Sequence, residues 1–170
     1  GEILAGRADV LWGPAENGGP SPNVLAHLDE WVIRRRPDVV HLNCGLHDVK
    51  RDVPDPAFPT PLAQYARNLD AIFSTLREKC PTMRLIWATT TPVIEERHRR
   101  NKGFMRYNAD IEAYNRAAEE VMRRWGLELN DLHGLVVAAC PERLIMPDGV
   151  HYTAEGSRLL AEQVAAAVMA

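Results

Sequence analysis

Strand-like and helix-like segments alternate along this chain of 170 residues, and that alternation limits its possible folds more than any other feature. Residues 38–42 are a compact apolar run after Pro37, which is typical of a buried parallel strand. Residues 62–79 carry apolar side chains at helical spacing, which predicts a long helix. Strands joined by helices form parallel sheets that helices cover on both faces. The sequence therefore predicts a single α/β domain over residues 1–170.

The rest of the chain follows the same alternation. Predicted strands cover residues 8–12, 38–42, 83–88 and 127–129, and predicted helices cover residues 23–35, 62–79, 108–125, 132–140 and 153–169. We expect Ser21 to cap the first helix, Gly126 to end the helix 108–125, and Thr153 to cap the last helix. The proline-rich residues 51–61 and the basic residues 95–103 are expected to be loops.

Composition and charge exclude several classes of protein. The 20 basic and 23 acidic side chains leave a formal net charge of −3, which does not suit a nucleic-acid binder. No run of about 18 apolar residues exists, so we expect no membrane span. Cys44, Cys80 and Cys140 are too scattered for a disulfide scaffold, and free thiols favour a reducing compartment such as the cytoplasm. A secretion signal would precede Gly1, so the sequence leaves secretion open.

In open parallel sheets, ligands bind beyond the carboxyl ends of the strands, and polar loops follow the predicted strands here. These loops cover residues 13–21, 43–48, 89–92 and 147–153. In the last loop, Asp148 stands three residues before His151, so its carboxylate can accept the imidazole Nδ1–H and leave Nε2 as a base. Judged on spacing alone, a turn aspartate beside a helix-entry histidine is the commoner explanation.

Two other loops carry groups that suit an oxyanion site. Backbone N–H groups of Gly18 and Gly19 can bind an anion, and Asn17 or Asn43 would add a side-chain donor. Each also has a plain structural explanation, because glycine pairs and lone asparagines are common in turns.

The remaining polar residues are weaker candidates. His47 and Asp48 form a doublet that can ligate a metal, but such sites need further ligands from neighbouring helices, so we predict no metal. The basic residues 97–102 are either a solvated loop or a lid that attracts an anionic substrate. Three histidines are expected at the surface or at the boundary between surface and core. The four tryptophans are expected to pack against other side chains in the core or at that boundary. These histidines are His27, His98 and His133.

Taken in order, the loops resemble those of the SGNH hydrolases, also called the GDSL esterase/lipase family. In that family a Gly-Asp-Ser block carries the nucleophile, a glycine and a Gly-x-Asn-Asp block form the oxyanion hole, and an Asp-x-x-His block supplies the base. Residues 148–156 are similar to the last block, residues 45–48 (Gly-Leu-His-Asp) to the asparagine block, and residues 17–21 to the glycine block. Residues 89–93 and 107–115 are also family-like.

The resemblance implies a three-layer α/β/α sandwich with a parallel, flavodoxin-like sheet, and a serine ester hydrolase that needs no cofactor. His151 would be the base, oriented by Asp148, and Gly19 with His47 would form the oxyanion hole. The alternative donors are Gly18, Asn43 and Asn17. The implied substrate is a small-molecule ester with a short acyl group, such as an acetyl group on a carbohydrate.

The chain departs from the family pattern at two places. His47 stands where an asparagine is expected, although an imidazole N–H can also donate to an oxyanion. No serine follows Gly-Asp, and none of the three serines, Ser21, Ser74 and Ser157, is a good nucleophile candidate. Residues 3–10 look like the end of the helix that follows the Gly-Asp-Ser loop. We therefore expect the first strand and the nucleophile upstream of Gly1, on a separate or removed piece of polypeptide.

Two other functions stay open at this point. A relative without the nucleophile would bind a ligand without turning it over. A metal-dependent phosphohydrolase would use the His47–Asp48 doublet together with Asp148 and His151. The absence of a G-x-S-x-G elbow argues against the α/β-hydrolase class.

Overall fold

A central sheet of three parallel strands organises the protein. The computed structural model describes residues 2–14, 17–52, 57–101 and 103–170, without the side chain of Asn101. The strands are β1 (Val39–Leu42), β2 (Arg51–Asp52), β3 (Arg84–Ala88), β4 (Phe104–Met105) and β5 (Glu128–Asn130). The central sheet has the order β1-β3-β5, and β2 pairs with β4 in a separate antiparallel ladder. Val40 is in register with Leu85, and Trp87 with Leu129.

The helices confirm most of the predicted alternation. They are α1 (Ser21–Ala26), α2 (Leu28–Trp31), α3 (Leu62–Lys79), α4 (Glu95–Asn101), α5 (Asn108–Trp125), α6 (Leu132–Ala138), α7 (Pro141–Leu144) and α8 (Ala154–Met169). Helices α3 and α5 have the predicted bounds. Gly126 ends α5 at φ 60°, and Oγ1 of Thr153 accepts the N–H of Gly156 at the start of α8.

The sheet lies between two helical layers, so the predicted α/β/α sandwich is confirmed. Leu85 and Trp87 face a buried cluster formed with α3 and α5, in which the Phe73 ring meets the Trp87 ring edge-on at 5.9 Å. Burying one such large apolar side chain stabilises the fold by roughly 1.5–3 kcal/mol. Helix α8 packs against β1 and β5 from the other face.

The predicted strand at residues 8–12 is wrong. Val10, Leu11 and Trp12 form no strand and are exposed, Leu11 by 58% and Trp12 by 74%, so Trp12 is not in the predicted packing. An extended segment becomes a strand only where a neighbour pairs with its backbone groups. Within the described ranges β1 pairs with β3 alone, so its other edge is free. A single 3-10 turn, Glu2–Leu4, stands where the end of a helix is expected.

The predicted helix at residues 23–35 is broken into shorter pieces. Pro20 is the N-cap of α1, and Ser21 is not, because its side chain is bonded elsewhere. His27 interrupts the helix before α2, and a 3-10 turn, Ile33–Arg35, follows.

The predicted loop at residues 95–103 is also wrong, because residues 95–101 form α4 and β4 follows. His98 is wholly buried in α4, contrary to its expected place at the surface or its boundary, and its ring meets the Phe104 ring edge-on at 5.4 Å. The buried His98 side chain therefore anchors this basic stretch to the interior of the protein.

The helices and the cysteines bear on the expectations from composition. In the parts of the chain that the structure describes, no helix is both long and apolar enough to cross a membrane. Cys44, Cys80 and Cys140 are free thiols, and burial raises the pKa of the Cys44 thiol well above its ordinary value.

Candidate active site

The Asp148–His151 pair is formed. Nδ1 of His151 lies 2.5 Å from Oδ2 of Asp148, and Oδ1 of Asp148 accepts the backbone N–H groups of Val150 and His151, each at 3.0 Å. Because a carboxylate only accepts, Nδ1 carries the proton of the neutral ring and Nε2 is left as the base. The side chain of His151 is 71% exposed, so Nε2 is open to a substrate.

The same contacts keep Asp148 ionised. Partial desolvation alone would raise the pKa of its carboxyl. The hydrogen bonds from the His151 ring and from the N–H groups of Val150 and His151 outweigh desolvation and hold that pKa well below its ordinary value. The carboxylate can therefore orient the ring and stabilise the imidazolium that forms when His151 takes up a proton.

The base loop (residues 147–153) rests on α4. The N–H of Ile94 donates to the carbonyl of Gly149 at 2.9 Å. Gly149 has φ +80°, and a Cβ atom there would lie only 2.5 Å from the backbone N of His98. Glycine permits both this backbone conformation and this close approach, so the Asp-Gly-Val-His sequence seats the base loop on α4.

The donor loop (residues 43–49) follows β1 and is tied to the segment after β3. Nδ2 of Asn43 donates to the carbonyl of Ala88 at 2.7 Å. A Cβ atom on Gly45 would lie 2.4 Å from Oγ1 of Thr90, so the two segments are in close contact. One N–H of the exposed Asn43 amide is thus used to tie the donor loop to β3.

His47 projects from the donor loop as a half-buried ring. Its side chain makes no hydrogen bond with any described residue. Desolvation, and then the positive charges of Arg106 and Lys50, lower the pKa of the imidazole, while Asp48 acts in the opposite direction. A neutral imidazole keeps one N–H, which is what an oxyanion donor needs.

Asp48 connects the donor loop to the glycine block (residues 17–21). It is wholly buried, and its carboxylate accepts the N–H of Ser21 at 2.9 and 3.0 Å and the hydroxyl of Ser21 at 2.6 Å. Nδ2 of Asn68, on α3, donates to Oγ of Ser21 at 2.9 Å. Burial raises the pKa of the Asp48 carboxyl, and the bonds from Ser21 oppose that rise. These contacts bring the predicted glycine and asparagine blocks together.

The two glycines of the glycine block differ in their backbone contacts. Gly19 has φ +68°, and its N–H donates to Oδ1 of Asn17 at 3.0 Å. The N–H of Gly18 makes no hydrogen bond with a described residue. The N–H of Gly19 becomes available to an oxyanion only when the exposed Asn17 side chain moves away.

Two asparagines of α5 hold the segment after β3. Asn115 bonds both backbone groups of Thr90, with its Oδ1 accepting the N–H and its Nδ2 donating to the carbonyl, each at 2.8 Å. Asn108 bonds Val93 in the same two-way manner, with both distances 2.9 Å. These contacts join residues 89–93 to residues 107–115, the two further segments that the family resemblance marks.

The three serines are not placed as nucleophiles. Ser21 is wholly buried and bonded to Asp48. Ser74 and Ser157 are exposed on α3 and α8, and neither lies on the donor loop, the glycine block or the base loop. Among the residues that the structure describes, no three His, Cys, Asp or Glu side chains are grouped to hold a metal ion. The Asp48 carboxylate is already occupied by Ser21.

Nothing in the sequence singles out Arg106, which is 5% exposed beside this site. Its Nε donates to the carbonyl of Leu46 at 2.6 Å, and its NH1 lies 3.4 Å from Nε2 of His98. A single arginine before a helix forms no pattern that sequence reasoning can use. Asp131 is the N-cap of α6, where its side chain accepts the N–H of Gly134 at 2.9 Å.

The sequence matches the model of one protein family along most of its length. The match to the GDSL-like Lipase/Acylhydrolase family covers residues 5–159. GDSL esterase/lipase CPRD49 of Arabidopsis thaliana is 28% identical over 173 residues, which cover 96% of this chain and 67% of that relative.

Solved structures share the fold at lower sequence identity. A putative platelet activating factor from Streptococcus pneumonia has a TM-score of 0.78 at 20% identity, over 96% of this chain and 75% of that one. The lipase/acylhydrolase from Enterococcus faecalis has a TM-score of 0.72 at 20% identity, over 89% and 71% of the two chains. The acetyl xylan esterase AlAXEase has a TM-score of 0.70 at 19% identity, over 90% and 78%. These likenesses show the fold.

Proposed function

Because this chain belongs to the GDSL-like lipase/acylhydrolase family and is a hydrolase of ester substrates, we propose that it supplies the base and the oxyanion hole of a serine esterase. The observation that carries the proposal is the 2.5 Å contact between Nδ1 of His151 and Oδ2 of Asp148. This contact orients an exposed base of the kind that activates a serine hydroxyl.

The reaction proceeds in two acyl-transfer steps. Nε2 of His151 takes the proton of the serine hydroxyl as the serine oxygen bonds to the acyl carbon. The bond from that carbon to the leaving alcohol then breaks, and His151 passes the proton to the alcohol oxygen. Water repeats the sequence on the acyl-serine, which releases the acid and restores the serine. Asp148 stays ionised throughout and stabilises the imidazolium.

The proposed oxyanion hole combines the glycine block with His47. The neutral ring of His47 offers one N–H, and the glycine block offers Gly19, with Gly18 as the alternative donor. The side chain of Asn17 accepts the N–H of Gly19. Removing the Asn17 side-chain amide should therefore free the Gly19 N–H to donate to an oxyanion. Asn17→Ala should therefore raise kcat if Gly19 acts and leave kcat unchanged if Gly18 acts.

We assign the nucleophilic serine to a strand outside this sequence that pairs with the free edge of β1. Two observations support this assignment. β1 has β3 as its single neighbour among the described residues. Leu11 and Trp12 are exposed, and the carbonyl of Trp12 accepts a hydrogen bond from Arg35, which lies four residues before β1. A fluorophosphonate probe should label a serine outside the 170 residues. A label on Ser21, Ser74 or Ser157, or a single 19.0-kDa species that hydrolyses esters, would overturn the assignment.

The proposed substrates are esters of short acyl groups, such as acetyl groups on a carbohydrate. An acetyl xylan esterase shares the fold, which makes this substrate class the first to test. Hydrolysis of acetylated oligosaccharides is compared with hydrolysis of long-chain acyl esters of the same alcohol. A preference for the long chains would refute the proposed acyl length.

The test of the base uses the protein purified with all of its polypeptides and p-nitrophenyl acetate as substrate. His151→Ala should lower kcat at least about a hundredfold, which is the typical contribution of a general base. His27→Ala is the matched control, because it removes another exposed histidine, and should leave kcat unchanged. A near-normal rate in the His151 variant would remove His151 from the mechanism. His47→Asn should retain activity, since the amide offers an N–H donor in the same loop.

The placement of the serines also favours a second candidate function, a protein that binds an ester without turning it over. Retained binding of an acetylated ligand, with no turnover by the complete protein, would support that function. Loss of activity on adding a chelator would support the phosphohydrolase instead.

A further inference from the structure

We propose that Arg106 is a positioning residue that aligns His47 with the Asp148–His151 pair by joining the donor loop to α4. The effect of Arg106 on catalysis rests on the proposed function. The bridge between the donor loop and α4 is inferred from the contacts of Arg106 alone. Arg106 lies between β4 and α5, outside every block that the family resemblance marks.

One end of the bridge holds the donor loop. Nε of Arg106 donates to the carbonyl of Leu46 at 2.6 Å, and Leu46 directly precedes His47. The guanidinium also lies over the Phe104 ring, 4.9 Å from its centroid. Because the Leu46 carbonyl belongs to the peptide that carries the His47 nitrogen, this bond sets the plane from which the His47 side chain projects.

The other end of the bridge reaches α4. NH1 of Arg106 lies 3.4 Å from Nε2 of the buried His98. Arginine can only donate, so Nε2 of His98 is the acceptor in this contact. The backbone N of His98 lies against Gly149, whose carbonyl also accepts the N–H of Ile94. The base loop is therefore seated on the same turn of helix that Arg106 contacts.

Charge gives Arg106 a second effect on His47. The guanidinium is buried and forms no ion pair with a carboxylate of the described residues, and burial lowers its pKa. After desolvation, Arg106 and Lys50 lower the pKa of His47, while Asp48 raises it. An apolar side chain could fill the same space, but it would neither bind the Leu46 carbonyl nor repel a proton from His47.

The decisive experiment is an NMR titration of the histidine rings, which needs no catalytic activity. The six histidines are assigned by single His→Gln variants. In Arg106→Met, the pKa of His47 should rise and the resonances of both His47 and His151 should move. In Arg106→Lys, which keeps the charge but not the two-ended contact, the pKa of His47 should stay near that of the unmodified protein while the His151 resonance still moves.

Arg84→Met is the matched control, because Arg84 also donates to backbone carbonyls, those of Ala167 and Val168, but at the amino end of β3. It should leave both histidines unchanged. Unchanged His47 and His151 in folded Arg106→Met would overturn the proposal. If Arg106→Met fails to fold, an unchanged His151 resonance in Arg106→Lys would overturn it.

The kinetic test uses the complete enzyme. Arg106→Lys should lower kcat more than about tenfold and change KM less than threefold, since misplacement by about 1 Å can cost about a hundredfold in rate. A change confined to KM would contradict a positioning role. If the unmodified protein hydrolyses no ester, the proposed function fails, and the titration still decides whether Arg106 forms the bridge.

Discussion

The loops at the carboxyl edge of the sheet and the segment at residues 8–12 differ in how many of their groups have partners within this chain. At the carboxyl edge, buried side chains bond the backbone of neighbouring loops: Asp48 holds Ser21, and Asn115 holds Thr90. In residues 8–12, by contrast, Leu11 and Trp12 lie exposed beside no strand. The difference fits the proposal that this chain carries the base and the oxyanion donors, while the nucleophilic serine lies on a strand that pairs with β1.

Gly149→Ala should have the largest effect on stability, because Gly149 is the residue through which the base loop packs against α4. The new Cβ would meet the backbone of His98 at 2.5 Å in a left-handed conformation, which should cost about 3 kcal/mol of unfolding free energy. Urea unfolding measures this loss. Gly103→Ala is the control, since nothing lies within 4 Å of its Cβ position. Equal stability of the two variants would show that the base loop is not seated on α4.

Asn115→Ala should have the next largest effect, because it leaves both backbone groups of Thr90 without partners. Each unsatisfied buried group costs about 1–3 kcal/mol, so we expect a loss of about 2 kcal/mol or more. Glu119→Ala, at an exposed position on the same helix, should change stability by less than about 0.5 kcal/mol. A loss no greater than that of the control would show that the carboxyl edge does not depend on α5.

The Asp148–His151 contact makes a smaller, pH-dependent contribution. Because the folded-state pKa of Asp148 is lowered, its stabilisation is present above the ordinary aspartate pKa and is lost only as the pH falls through the depressed value. In His151→Ala, the carboxyl pKa should rise towards the ordinary value, as measured by carbon-13 NMR. The pKa of Asp70, lowered by Trp125 and Arg124, should not move. An unmoved Asp148 would contradict the hydrogen bond.

Trp12→Ala should have the smallest effect in this chain. An exposed side chain away from packed neighbours typically changes stability by less than about 0.5 kcal/mol. In the complete protein the loss should be larger, because the proposed strand would cover this segment. Equal, small losses in both would argue that residues 8–12 stay exposed when the nucleophile is present.

Local signals explain what the sequence could predict. Helices α3 and α5 are long and regularly patterned, with Pro61 before the first and Gly126 after the second, so their bounds are correct. The Asp148–His151 contact depends on a spacing of three residues within one loop. Such features need no knowledge of the rest of the fold.

The errors depend on contacts that no local sequence pattern encodes. Residues 8–12 have the composition of a strand, but a strand also needs a neighbour, and composition does not supply one. His98 is buried in contact with Phe104, in β4, and with Arg106, which follows β4. The occupied N–H of Gly19 likewise depends on how the Asn17 side chain is turned, which no motif encodes.

Helix α5 fixes the spacing of two backbone contacts in the segment after β3. Asn108 and Asn115 are seven residues apart, close to two helical turns, so their amides emerge on one side of the helix with a fixed separation. Each amide bonds the N–H and the C=O of one residue, Val93 or Thr90, as an adjacent strand would, which lets residues 90–93 leave the sheet with those groups satisfied. Inserting one residue between the two asparagines would rotate one amide about 100° away from its peptide. One inserted after Asn115 would leave both pairings in place, so the first half of α5 should tolerate no change in length.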